Sequence, residues 1–326
     1  MKERYNNLAL YRIIATIMIL QFHIFFICYP DNVFGTIYLS KFVQGLTALS
    51  GFLLSQKVIT HVGKFYLNRL SKIIFPALVV IGLVTIWNVI FMFITNNYDF
   101  PSMFYGTRAY NGGLLIQFGN FYFLGYIFVC YLITPLLQKS KWLGFLLFLV
   151  VAFIETSITK WMDPLYIVSC YIIGYYIGKF SFKQFVGKCK STDIVNFVAY
   201  GVITALLVIF SLYFTREGEA IIGSTSNRIL TNVFMSLFGV TSMMVILVML
   251  KFANYIRPIR FDKYSYIIFL FNQIFMVGAT NVAYLAPEFW MKNLIVYLLV
   301  IVSGVAVRSG YDMYKLIKNR RKEITT

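Results

Sequence analysis

Ten stretches of the chain are apolar almost without interruption, and short polar intervals separate them. In order they cover residues 8–30, 38–59, 73–95, 119–138, 142–159, 164–180, 194–215, 228–250, 264–285 and 290–312. A helix needs about 20 apolar residues to cross the hydrocarbon core of a bilayer. Most of the stretches reach that length; the fifth and sixth are short, and the tenth has a polar end. Apolar residues on every side of a helix predict lipid as the surrounding solvent.

The polar intervals give the orientation, because cytoplasmic loops carry the excess of Lys and Arg. With the N-terminus inside, the inside segments hold twenty cations, among them Lys64, Arg69 and Lys72, and the cluster Lys179, Lys183, Lys188 and Lys190; Lys251 is counted there too. The outside segments hold five: Arg108, Lys160, Arg216, Arg228 and Lys292. The alternation holds at every loop, which predicts an even number of spans. The expected fold is an all-α, polytopic transmembrane bundle of about ten helices with both termini cytoplasmic. A single integral-membrane domain over 1–326 is expected, without a soluble appended domain. The first apolar segment lacks a small-residue cleavage site and is expected to stay as a signal anchor. The longest outside loop, 96–118, contains Asn96-Asn97, Pro101 and Gly112-Gly113 and is placed to cap a cavity.

Composition agrees. Of 326 residues 60% are hydrophobic and 13% charged, where soluble domains carry about 25% charged residues. The formal charge of +17 raises nucleic acid as a partner. The cations, however, lie in short gaps between apolar runs and not on one face of a soluble body, so no nucleic acid is expected. Cys28, Cys130 and Cys170 lie in apolar runs and Cys189 in a basic loop, without metal-ligand spacing. No Gly-rich phosphate loop, His-Glu-x-x-His site or Gly-x-Ser-x-Gly elbow occurs. An ATP-driven pump, a metalloenzyme and a serine hydrolase are therefore disfavoured, and no metal is expected.

Ionisable groups inside a bilayer are costly and usually face a cavity or a partner. Few occur away from the span ends, and Arg12, His23, Lys41, Glu155 and Arg308 are the informative ones. Arg12 and His23 are eleven residues apart, three helical turns plus ~20°, so they share a face at an axial separation of ~16 Å. That geometry suits a long anionic ligand entering from the cytoplasm, its charged end on Arg12 and its reactive end at His23. It equally suits an arginine reaching to the inner headgroups and a histidine bonding between helices. Spacing alone leaves both readings open.

An ordered set of motifs resembles the acyltransferase 3 family of membrane-bound acyltransferases. It begins with Asn7-Leu8-Ala9-Leu10-Tyr11-Arg12 and Phe22-His23, and continues through Leu49-Ser50-Gly51-Phe52-Leu53-Leu54. Phe65 to Pro76, Phe121-Tyr122-Phe123-Leu124 with Tyr131 to Leu137, and Tyr264-Ser265-Tyr266 with Phe269-Leu270 complete it. The resemblance implies transfer of an acyl group, usually acetyl from acetyl-CoA, to a hydroxyl or amine, often on a surface glycan. It implies that His23 is a base or transient acyl carrier, and that Arg12 and the basic pair Arg69 and Lys72 hold CoA phosphates. Two departures stand out. Lys72 replaces the second arginine of the pair and cannot make a bidentate guanidinium contact. Asn272 stands where the ninth span often has histidine, so a two-histidine mechanism is unavailable.

The imidazole of His23 is the natural base. Glu155, at a comparable depth, is expected to orient the imidazole or hold the acceptor, with an outer-interface carboxylate as the alternative. Lys41 and Tyr122 are candidates for acceptor contacts; Lys41 can instead simply pair with an acid. Asn272 and Gln273 are candidate donors to the acyl carbonyl. Ser50 reads better as part of a close-packing step with Gly51 than as a nucleophile. The expected function is transfer of acetyl from cytoplasmic acetyl-CoA to an exopolysaccharide, capsule or lipid-linked surface sugar, in the bacterial cytoplasmic membrane. The donor is a substrate, so no permanently bound cofactor is expected; partners are acyl-CoA, the glycan acceptor and membrane lipids. An exporter of a glycan or lipid-linked intermediate is the second reading, and a scaffold for polysaccharide synthesis the third.

Overall fold

A computed structural model of the chain describes residues 5–29, 32, 35, 38–95, 107–108, 117–118, 122–158, 166–220, 225–256, 259–271 and 288–325. Ten α-helices lie among them: α1 (Asn6–Cys28), α2 (Phe42–Leu54), α3 (Val62–Thr95), α4 (Tyr122–Lys139), α5 (Lys141–Ile158), α6 (Ile167–Phe185), α7 (Thr192–Ala220), α8 (Thr225–Met249), α9 (Asp262–Phe271) and α10 (Phe289–Thr325). Tight helical turns at Leu39–Lys41 and Leu250–Tyr255 lead into α2 and close α8. One pair of two-residue strands, β1 (Thr107–Arg108) and β2 (Gln117–Phe118), lies antiparallel with Thr107 opposite Phe118. The architecture is all-α, one helix for each apolar stretch of the sequence.

Five helices, α1, α3, α7, α8 and α10, hold apolar segments long enough to cross a membrane. Large side chains such as Phe93, Trp142, Phe153, Ile194 and Trp290 stand exposed on α3, α5, α7 and α10. Water would not tolerate so much contiguous apolar surface, whereas lipid tails match it. Half of the apolar window of α1 is buried against 6% of that of α7. Protein therefore surrounds α1 on many sides, and α7 is left mainly to lipid.

The chain divides into two compact units. The first comprises Met1–Ile19, Val33–Arg69 and Gly125–Arg260; the second comprises Leu20–Asn32, Leu70–Leu124 and Phe261–Thr326.

In the first unit α2 and α6 touch backbone to backbone. A Cβ on Gly51 would collide with the carbonyl oxygen of Tyr171, and one on Gly174 with that of Ala48. Small residues permit such approach where apolar surface gives helices no preference for each other over lipid. The Ser50-Gly51 step is thus a packing step, as the sequence predicts, and the Ser50 hydroxyl donates back to the Leu46 carbonyl at 3.0 Å. Around this contact Tyr11, Leu49, Phe52, Met243 and Leu247 form a buried core.

One end of the unit is held by polar groups. The Asn6 side chain donates to the carbonyls of Ala253 and Ile256 at 2.8 and 3.0 Å, and its oxygen accepts the Ile259 N–H at 3.0 Å. Asn7 donates to Phe185 and Leu247 at 2.7 and 3.1 Å. These are carbonyls at or near helix ends, where acceptors of the last turn are left for side chains. Beside them Lys251 lies 2.7 Å from Asp193, with side chains 1% and 5% exposed. Lys251 is therefore not the solvated loop cation that the charge pattern takes it for.

In the second unit α10 lies along α1. Tyr297 donates to Gln21 at 2.8 Å, and Phe289 packs on Phe25 and Tyr29 with ring centres 5.6 and 5.1 Å apart. Tyr266 of α9 donates to the Ile73 carbonyl of α3 at 2.8 Å, and Phe269 meets Phe123.

Candidate active site

Chain position puts Arg12 and His23 on one helix, α1. His23 is buried, 5% exposed, and lies about 200° around the helix from Gln21. The α1 face that receives α10 is therefore not the one that carries the imidazole.

Arg12 and Arg69 both belong to the first unit. The guanidinium of Arg69 lies 5.5 Å from the ring centres of both Phe65 and Tyr131. Arg12 and Arg69 are both within electrostatic reach of the Tyr131 phenol. Stacking on aromatic faces leaves the edge of a guanidinium free for hydrogen bonds. The Nε of Arg69 is buried and has no hydrogen-bond partner among the described residues. Buried donors are rarely left so, which fits a site for an anionic oxygen. Tyr131 belongs to the motif set, but its place beneath Arg69 was not legible in the spacing. Lys72 stands exposed one turn further along α3.

Glu155 is 6% exposed. Its two oxygens accept the backbone N–H groups of Val168 at 2.9 Å and Ser169 at 3.3 Å, and the Ser169 hydroxyl donates to it as well. A carboxylate there satisfies unpaired N–H groups of the first turn of α6 and meets the positive end of its dipole. The turn needs that support, because Tyr166, just before α6, has φ 42° and ψ 38°. A bulky residue in the left-handed region costs about 1–3 kcal/mol. Glu155→Gln keeps the shape and one acceptor but turns an amide N–H₂ toward a donor. Loss of this charge-assisted capping is expected to cost about 1.5–3 kcal/mol in stability. The check is unfolding in mixed detergent micelles; an unaltered midpoint with lost activity would instead assign Glu155 to the chemistry.

Lys41 is 9% exposed in the turn that leads into α2. Its ammonium and the Glu155 carboxylate are both within electrostatic reach of the Cys170 thiol. These three groups share one neighbourhood in the first unit. Tyr122 opens α4 in the second unit, but its side chain lies outside the described residues, as do Asn272 and Gln273 entirely. Arg308 binds Asp312 one turn on at 3.3 Å and lies over Tyr311, which is the arrangement of a half-exposed ion pair. His61 is exposed. No group of three or more His, Cys, Asp or Glu side chains suited to a metal occurs among the described residues.

In the first unit Arg69, stacked on two aromatic rings, can hold an anion; in the second the buried His23 imidazole can move a proton. No curated protein and no solved structure matches the chain. The acyltransferase 3 family, described as an acyltransferase domain, matches residues 5–308, nearly the whole length; the chain belongs to this family of membrane acyltransferases.

Proposed function

We propose that the protein transfers an acyl group, acetyl in the first instance, from cytoplasmic acyl-CoA to a hydroxyl of an exopolysaccharide, capsule or lipid-linked surface sugar. Its place would be the bacterial cytoplasmic membrane. The observation that carries this reading is the Arg69 guanidinium, held over the rings of Phe65 and Tyr131 with an Nε–H that has no partner among the described residues. A CoA thioester is a long molecule with phosphates at one end and the reactive carbonyl at the other. Arg12 and Arg69 would hold the phosphates, with Lys72 as a point charge nearby. His23, ~16 Å further along α1, would meet the carbonyl end.

In the transfer the acceptor hydroxyl oxygen attacks the thioester carbonyl while His23 takes its proton. The new C–O bond forms, the C–S bond breaks, and the leaving CoA sulfur receives the proton from the imidazolium. The developing oxyanion needs a donor, and Asn272 and Gln273 are the nominated groups. Lys41 and Tyr122 are nominated for the acceptor. Glu155 enters as a positioning residue through α6.

The test is CoA binding. CoA is expected to raise the thermal midpoint of the detergent-solubilised protein, whereas a glycan exporter has no use for a CoA phosphate site. Arg69→Ala removes a charge-assisted contact of about 1.5–3 kcal/mol. In proteoliposomes the KM for acetyl-CoA is then expected to rise about 10- to 100-fold, with the acceptor KM unmoved. An unaltered donor KM would defeat the phosphate assignment.

A further inference from the structure

The buried face of α8 is apolar where it meets the core of the first unit: Val240, Met243 and Leu247 are each 2% exposed or less. On the same face, one and two turns nearer the start of the helix, stand Ser236 and Asn232. Ser236 is 4% exposed. Its Oγ and the Nδ2 of Asn232 are both buried and have no hydrogen-bond partner among the described residues. Other buried or half-buried helical hydroxyls of this chain return their proton to a carbonyl one turn back, as Thr16, Thr47, Ser50 and Thr134 do. Ser236 does not. An apolar residue would be cheaper than either group inside a bilayer, and the face is apolar from Val240 onward.

The surroundings define what fits. The Cys170 thiol donates to the backbone carbonyl of Ser236 at 3.8 Å. The carbonyl of Lys41 abuts Gly239, one turn further along α8. Lys41 and Glu155 lie within electrostatic reach of Cys170. The acid is already turned to the N–H groups of α6. What α8 offers here is an amide N–H₂ and a hydroxyl, a pair that binds oxygens. The positive-inside pattern puts this end of α8 on the outer side, where a surface glycan is presented.

We propose that Asn232 and Ser236 bind hydroxyl or ring oxygens of the sugar acceptor. This rests on the acyltransferase reading. The experiment uses the full chain in proteoliposomes, acetyl-CoA as donor, and base-stripped surface polysaccharide of the source cells as acceptor. Asn232→Leu and Ser236→Ala are each expected to raise the KM for the polysaccharide about fivefold to tenfold, the loss of one hydrogen bond. The KM for acetyl-CoA should not change, Ser236→Thr should restore the acceptor KM, and the thermal midpoint should hold or rise because no protein partner is lost. An unmoved acceptor KM, or a fall in the midpoint, overturns the proposal, since the groups then serve the fold. Protection of the wild-type protein by CoA tells the two failures apart. With protection and an unmoved acceptor KM only this inference falls; without protection the acyltransferase reading falls and takes this one with it.

Discussion

His23→Ala is expected to lower acyl transfer by about 10²- to 10⁴-fold, the contribution of a positioned general base. The reasoning starts from the price of the residue's position. An imidazole 5% exposed on a helix that is half buried within protein is displaced from water on all sides. Ala would fill that place more cheaply in an apolar bundle, so truncation should remove chemistry rather than fold. His23→Gln keeps much of the volume and the capacity to hydrogen-bond but cannot take the proton, and it should lose activity to a similar degree. Ester-linked acetate on the surface glycan, measured in cells that make equal amounts of each variant, is the readout. CoA protection of the purified variants should persist, because Arg12 and Arg69 are untouched. Full activity in His23→Gln would remove the imidazole from the mechanism.

Lys251→Met should cost about 3–5 kcal/mol in stability, the penalty for leaving a buried charge without its partner. Asp193 is 4% exposed and, once the ammonium is gone, keeps the Lys190 N–H at 2.7 Å and the Cys189 thiol but no countercharge. Lys251 also donates to the Gln184 carbonyl at 3.1 Å, so the same substitution frees an acceptor at the end of α6. Lys251→Met combined with Asp193→Asn removes the charge and should recover a large part of the loss. Unfolding in mixed micelles across this double-mutant cycle gives the coupling directly. If the single and double variants lose the same stability, the pair does not hold the α6–α7 connection to the end of α8. The hydrogen-bonded charge pair would then be incidental to the fold.

The helices were legible because each apolar stretch is long and its flanks are charged, and those two features are local. The site was legible only where it rests on one helix: the eleven-residue spacing of Arg12 and His23 fixes their common face before any packing is known. Whatever depends on a distant partner was hidden. The contacts of Glu155 with α6 were hidden because the N–H groups it accepts from lie 13 and 14 residues further along the chain. Lys251 looks like one more inside cation because its acid lies 58 residues away. Ser236 and Asn232 look like ordinary polar residues of an amphipathic segment. Only the buried face of α8 shows that they interrupt an apolar stripe.

The asparagines at the start of α1 set an order of events during synthesis. Asn6 bonds to Ala253 and Ile256, 247 and 250 residues further along the chain. At about 5–20 residues per second, the first helix would wait roughly 12–50 s on the ribosome's timescale before its carbonyl partners are made. Until then α1 must sit in the membrane with both side-chain amides bonded to water or headgroups. A truncation that ends before α8 should therefore yield an inserted but unlocked first helix, open to a protease on the side where Asn6 emerges.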